Sequence, residues 1–255
     1  MVEGGEFKSM EPNLRGIAAL FSPETGIIDS HRLMEYFLSS ARDKGVMVAY
    51  NSEVTEIDQE RGRYKITVKN KNESLAINSA VVINSSGLDS DKVAESAGIK
   101  LEENAYQLHY CKGQYFRVNP GKARLLRRLS YPVPKPASGG LGVHATPDLG
   151  GGLRLGPDDQ YLHNRIKDYA VDENKRGEFY ASAVKFMPFI KEEDLSPDIA
   201  GIRPKLQEEG GGFRDFIIQE EGAKGFPGLI NLIGIESPGL TASPAIAAYV
   251  RGLLR

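Results

Sequence analysis

The sequence predicts a mixed architecture, α/β at both ends with an α+β insert between them, on three observations. Ala80-Val81-Val82-Ile83-Asn84 and Leu229-Ile230-Asn231-Leu232-Ile233 are short continuous apolar runs. Such runs are expected of strands covered on both faces, as in a parallel sheet. Each passes through a small-residue turn into a helical pattern, which is the order of an α/β unit. Between them, residues 101–225 carry short alternating stretches separated by Pro- and Gly-rich turns, which predicts a mostly antiparallel sheet.

The elements follow in order. Residues 31–44 place Leu33, Met34, Phe37, Leu38 and Ala41 at helical spacing. Asp29 or Ser30 can cap this helix, and Gly45 can end it in a left-handed turn. Val46 to Tyr50 alternates and predicts a strand. Val54-Thr55-Glu56-Ile57 and Tyr64-Lys65-Ile66-Thr67-Val68, about a turn at Arg61-Gly62, predict a β-meander. The run at residues 80–84 enters Ser85-Ser86-Gly87, and a helix is expected over 88–97, stopped by Gly98. In the insert, Gln114 to Val118 predicts a strand and residues 178–187 a helix. Tyr131-Pro132-Val133-Pro134-Lys135-Pro136 and the glycine triplets starting at Gly150 and Gly210 predict turns. The last run passes through Gly234 to Gly239 into an Ala-rich helix over 240–254.

Composition narrows the function classes. The 255 residues are 40% hydrophobic and 26% charged with a formal net charge of -2, so no basic excess points to nucleic acid. A single cysteine, Cys111, excludes an intrachain disulfide and predicts a reducing compartment, the cytoplasm. No apolar run approaches the ~20 residues that a spanning helix needs. Met1 to Glu6 lacks the basic and apolar regions of a signal peptide, which leaves at most peripheral membrane contact. No His, Cys, Asp or Glu cluster has metal-ligand spacing, so no metal is expected.

Two turns are placed where chemistry could occur. The helix after Gly234–Gly239 carries about half a positive charge at its N-terminus, suited to a phosphate or an anionic ring edge. Small residues at Asn84–Gly87 let a ligand approach the backbone. Each also admits a plain reading: a strand–turn–helix closing a sheet, and a tight turn that needs glycine. Gly140-Leu141-Gly142-Val143-His144-Ala145 matches a loose dinucleotide pattern by chance, since Pro-rich sequence precedes it and Thr146-Pro147 follows where a helix should start.

Several segments acquire weight from their order. Met10-Glu11-Pro12-Asn13-Leu14, Gly26-Ile27-Ile28-Asp29, Val82 to Gly87, Lys112-Gly113-Gln114-Tyr115 and Tyr131 to Pro134 come first. Gly142-Val143-His144, Leu155-Gly156-Pro157, Ala200-Gly201-Ile202-Arg203-Pro204-Lys205 and Gly234 to Thr241 complete the series. It resembles the D-amino-acid-oxidase-like FAD oxidoreductases, most closely the L-2-hydroxyglutarate dehydrogenase/oxidase branch. Where related flavoproteins usually have Ala, this chain has Ser86.

The resemblance implies FAD as cofactor and oxidation of a small L-2-hydroxy acid, L-2-hydroxyglutarate to 2-oxoglutarate, by hydride transfer to flavin. It implies that Arg203 holds the substrate carboxylate, a pairing that a guanidinium makes bidentately. His144 is the implied base for the hydroxyl proton, against the alternative of a histidine hydrogen-bonded inside a strand. Tyr115 and Tyr131 line the pocket or pack as aromatics with tethered hydroxyls. Ser85, Ser86 and Gly87, with Gly234, Glu236, Ser237, Pro238, Gly239, Leu240 and Thr241, are carried over as flavin-contacting residues. The implied cofactor domain, an incomplete and discontinuous Rossmann-like part, comprises residues 27–100 and 226–255. The substrate domain comprises 1–26 and 101–225.

Family members also have an N-terminal strand, Gly-rich turn and helix that bind the ADP part of FAD, and no glycine cluster here replaces them. Three accounts are open: a fragment, one half of a split enzyme whose partner chain supplies that unit, or a binding module or subunit that has lost flavin. Within enzymes the alternatives are an amino-acid oxidase and a glycerol-3-phosphate dehydrogenase type. Lacking the central strand, Ile83 and Leu232 are expected at an unpaired sheet edge.

Overall fold

The computed structural model describes residues 1–71, 73–133 and 142–254. Residues 134–136 of the Pro-rich turn and the Gly140-Leu141 start of the glycine motif lie outside the described residues. Strands run at Val2–Glu3 (β1), Ala18–Ala19 (β2), Ser52–Glu60 (β3), Arg63–Asn70 (β4), Glu73–Ser79 (β5), Val82–Asn84 (β6) and His109–Val118 (β7). They continue at His144–Pro147 (β8), Leu153–Gly156 (β9), Gln160–Leu162 (β10), Leu195–Lys205 (β11), Ile217–Glu220 (β12) and Leu229–Ile233 (β13). The helices are Gly4–Met10 (α1), Ser30–Arg42 (α2), Ser90–Ser96 (α3), Leu101–Asn104 (α4), Pro120–Ala123 (α5), Arg176–Ala183 (α6) and Gly239–Leu253 (α7).

Two compact units result. The first comprises residues 1–47, 112–160 and 168–201, the second 48–111, 161–167 and 202–255. These cuts differ from the sequence-based boundaries. Residues 101–111 and 202–225 fall in the second unit because Tyr106, Leu108, Leu206 and Phe226 share one core with Ile57, Tyr64 and Leu229.

In the first unit β9 pairs antiparallel with both β7 and β8, as the alternating pattern predicts. Its core joins Phe116 and Phe179, 4.7 Å apart, to Leu153, Leu155 and Met187. Gln114 is fully buried, so its amide needs partners. It donates to Asp158 Oδ2 at 3.0 Å and accepts from the Asp172 N–H at 2.7 Å, clasping two loops to β7. Helix α2 starts as expected, the Asp29 carboxylate accepting from the N–H groups of His31 and Arg32. The predicted strand at 46–50 does not form. Its alternation finds no pairing strand among the described residues, and Val46, Met47, Val48 and Tyr50 are exposed.

In the second unit β3, β4 and β5 form the meander, turning at Arg61 and Gly62, which both have positive φ. The sequence reading did not foresee β5. The two apolar runs form parallel neighbours, Val82, Ile83 and Asn84 pairing with Leu229, Ile230 and Asn231. Strand β12 lies antiparallel on the other side of β13, so Leu232 is not at an edge; the expectation for it was wrong. Ile83 is at the edge and 45% exposed, so β6 is not covered on both faces as its continuous apolar run predicted. The helix expected over 88–97 begins as a single tight turn at Gly87–Asp89 and becomes α-helical at Ser90.

Candidate functional site

The parallel pairing of β6 with β13 brings the carboxyl ends of both strands side by side, and with them Ser85–Gly87 and the turn at Gly234. Ser85, Ser86 and Gly87 are exposed. Gly87 has φ +59, and a Cβ there would meet nothing within 4 Å. The space over this end of β6 is therefore open to a ligand. The glycines of the second turn answer to internal packing. A Cβ on Gly234 would lie 2.7 Å from Leu206 Cγ, and one on Gly239 only 2.4 Å from Ile235 Cγ2. Helix α7 follows directly. Its N-cap, Pro238, makes no side-chain cap, and the Gly239 N–H donates to the Glu236 carbonyl. The N–H groups of Leu240 and Thr241, in the first turn, have no intrahelical acceptor, so they can serve a ligand.

A buried polar chain stands beneath this surface. Asn84 Nδ2 donates to Asn231 Oδ1 at 2.9 Å and to the Ser90 carbonyl at 2.7 Å. Asn231 Nδ2 donates to Glu221 Oε1 at 2.9 Å, and the Tyr106 hydroxyl donates to the same oxygen at 2.8 Å. Lys224 Nζ lies 2.8 Å from Glu221 Oε2. Glu221, Asn231 and Asn84 are all buried. Burial, then the Glu221 carboxylate, push the Tyr106 phenol pKa well above its ordinary value.

Nearby in the same unit, Arg203 at the end of β11 turns one guanidinium nitrogen to the Cys111 sulfur at 3.6 Å, a weak acceptor. Its neighbour Lys205 reaches Glu236 Oε1 at 2.8 Å, so the carboxylate expected to contact flavin is tied within the protein.

The first unit gathers His144, Tyr131 and Tyr115. The rings of Tyr131 and His144 stack with centroids 4.3 Å apart. His144 pairs in register with Gly156, and a Cβ on Gly156 would strike the Tyr115 ring at 2.7 Å. His144 Nδ1 lies 3.2 Å from the Gly142 carbonyl. A carbonyl only accepts, so Nδ1 carries the proton and Nε2 keeps its lone pair. Burial lowers the imidazole pKa, partly offset by the Gly142 carbonyl. The ring is thus a neutral base at neutral pH with Nε2 as its basic atom.

The family model described as FAD dependent oxidoreductase (DAO) matches residues 1–253. The chain belongs to this family. Among relatives of the DAO-family chain, the mitochondrial L-2-hydroxyglutarate dehydrogenase of Arabidopsis thaliana is 34% identical, covering 98% of this chain and 59% of the relative. L-2-hydroxyglutarate dehydrogenase of Escherichia coli K12 is 24% identical over 96% of this chain and 63% of its own length. The DAO-family chain thus spans about three-fifths of these relatives. Among solved structures, the FAD-bound L-alpha-glycerophosphate oxidase of Mycoplasma pneumoniae superposes with a TM-score of 0.80 at 23% identity, covering 99% of this chain and 63% of the other. The likeness supports the mixed fold with several sheets.

FAD is the cofactor of the DAO family, and the open surface at Ser86 and Gly87 and the uncapped start of α7 fit such a group. Among the described residues no helix is long and apolar enough to cross a membrane. The sequence reading missed the chain from Asn84 to Glu221. The available signal was an asparagine in each apolar run, since a buried amide demands partners.

Proposed function

We propose that this chain carries the substrate-handling residues, and part of the flavin-handling residues, of an FAD-dependent dehydrogenase or oxidase of a small L-2-hydroxy acid. L-2-hydroxyglutarate, giving 2-oxoglutarate, is the leading substrate. The observation that carries the reading is the state of His144: neutral, stacked on Tyr131, and with its tautomer set by the Gly142 carbonyl. A base with these properties suits removal of a hydroxyl proton from C2 of the acid. The 34% identity to the Arabidopsis L-2-hydroxyglutarate dehydrogenase supports the substrate class.

FAD, when bound, supplies the acceptor for the hydride leaving C2. Ser85, Ser86 and Gly87, with the segment from Gly234 to Thr241, would hold it, as the incomplete Rossmann-like part of residues 27–100 and 226–255. Residues 1–26 and 101–225 would handle substrate. His144 Nε2 takes the hydroxyl proton, and Tyr131 keeps the imidazole in plane. Arg203 pairs with the substrate carboxylate, which offers its guanidinium a stronger acceptor than a thiol does.

A second reading, oxidation of glycerol 3-phosphate, is favoured by a 29% identical relative, the glycerol 3-phosphate dehydrogenase of Caloramator mitchellensis. The test is a substrate panel with a dye as electron acceptor, on the chain alone and co-expressed with a Gly-rich βαβ unit for the split-enzyme case. Turnover of L-2-hydroxyglutarate, with none of glycerol 3-phosphate or an amino acid, is expected. Turnover of glycerol 3-phosphate alone would establish the second reading, and flavin bound without any turnover would leave a binding module.

A further inference from the structure

The hydrogen-bonded chain under the open end of β6 has a direction, and that direction reaches the surface at Ser86. Four groups fix the Asn84 amide. The Ser90 carbonyl, 2.7 Å away, can only accept, so it faces Nδ2. Asn231 Oδ1 accepts from the same nitrogen at 2.9 Å. Asn231 itself is oriented by Glu221, whose carboxylate, paired with Lys224, accepts from Asn231 Nδ2. The Ser86 backbone N–H can only donate, and at 3.3 Å it faces Asn84 Oδ1. That oxygen is also 2.7 Å from Ser86 Oγ, and neither has another proton to place between them. The Ser86 hydroxyl must therefore be the donor.

The consequence lies on the outer side. Ser86 is exposed, and its hydroxyl proton is committed inward to Asn84. Only lone pairs remain facing the open space beside Gly87. A serine hydroxyl next to a glycine turn commonly donates to an anion; here it cannot without breaking a buried network. Building on the FAD reading above, we infer that Ser86 is a one-way acceptor that selects a hydroxyl or N–H donor of the bound ligand at the carboxyl end of β6, and not a phosphate oxygen. The candidate donors are the polyol chain and ring N–H of the flavin half, and the ribose of the adenosine half.

Two measurements test this. Neutron diffraction from deuterium-exchanged crystals of the protein locates the Ser86 hydroxyl deuteron, expected on the line to Asn84 Oδ1. A deuteron pointing outward overturns the inference with or without flavin. FAD titration of Ser86→Ala is expected to weaken binding about five- to tenfold, the loss of one neutral hydrogen bond. Ser86→Thr, which keeps the hydroxyl, should restore affinity. Riboflavin and adenosine as competitors tell the two donor sources apart, since only the one that meets Ser86 should lose affinity in Ser86→Ala. Competition by inorganic pyrophosphate should be the same in both proteins. Ser86→Ala binding FAD as tightly as the wild type, or losing pyrophosphate affinity in step with FAD, overturns the inference while leaving the flavin reading intact. A wild-type protein that takes up no FAD removes the flavin reading, and with it the ligand assigned to Ser86; the neutron map then judges the hydroxyl's direction by itself.

Discussion

Tyr131 lies against His144 with ring centroids 4.3 Å apart and planes 27° apart. The stack covers the imidazole, and burial holds its pKa below the ordinary 6.5. A base must be unprotonated, so kcat/KM should rise with pH through an apparent pKa below 6.5 and level off near neutrality. Tyr131→Ala should let water reach the ring and move this limb to higher pH. His144→Gln should lower kcat by about 10²- to 10⁴-fold with little change in KM. The same group leaves a mark on stability. Its folded pKa lies below its unfolded value, so the contribution is complete above pH 6.5 and is lost as pH falls through the folded pKa. Thermal melts across that window check the sign, and substitution by Gln should flatten them.

Arg203→Lys is a test of geometry at constant charge. Lysine cannot grip a carboxylate with two parallel donors. The expected outcome is a KM for the hydroxy acid raised about tenfold or more, with the pH profile of His144 unchanged. Steady-state kinetics on both variants separates binding from proton transfer.

Glu221 has no exposed surface and receives Asn231, Tyr106 and Lys224. Glu221→Ala removes the acceptor of Asn231 Nδ2 and the counter-charge of Lys224, while Tyr106 keeps Gln219 Oε1 at 3.3 Å and Lys224 keeps the Tyr106 hydroxyl oxygen at 2.7 Å. Removing one partner of a buried ion pair typically costs about 3–5 kcal/mol, and urea unfolding should register a loss of that order. Glu221→Gln keeps an acceptor oxygen and should lose less. In the intact protein, spectrophotometric titration should find one tyrosine, Tyr106, that resists ionisation beyond the others.

Gly156 has φ +144, and a Cβ there would sit 2.6 Å from the Gln114 carbonyl and 2.7 Å from the Tyr115 ring. Gly156→Ala should destabilise by at least ~1–3 kcal/mol and disturb His144, its register partner. Urea unfolding measures the first effect. A shift of the His144 imidazole resonances in NMR measures the second.

The sequence made legible what depends on local pattern. The Asp29 cap, the turn at Arg61-Gly62 and the parallel strands of the two apolar runs are each written within a few residues and formed as read, except that β6 is left open at Ile83. Where a partner decides the outcome, local pattern misled. Residues 46–50 alternate like a strand but have no strand to pair with among the described residues. Strand β5 has only Leu75, Ala76 and Ile77 as an apolar signal, and it forms because β4 offers a full ladder from Tyr64 to Asn70. Around the candidate site, residue types such as His144, Arg203 and the glycines could be named from their segments. Their reasons could not. Asn84 and Asn231 are 147 positions apart, and Gln114 meets Asp172 across 58. Such pairings exist only in the folded chain, and that of Asn84 with Asn231 decides which atom of Ser86 is left for a ligand.

The most direct test of the account is anaerobic addition of L-2-hydroxyglutarate to the FAD-loaded protein while the flavin absorbance is followed. The account predicts bleaching of oxidised flavin in a single turnover, with 2-oxoglutarate formed in equal amount, and a bleaching rate sharply reduced in His144→Gln. Flavin that is demonstrably bound and stays oxidised in the presence of saturating L-2-hydroxyglutarate would contradict it.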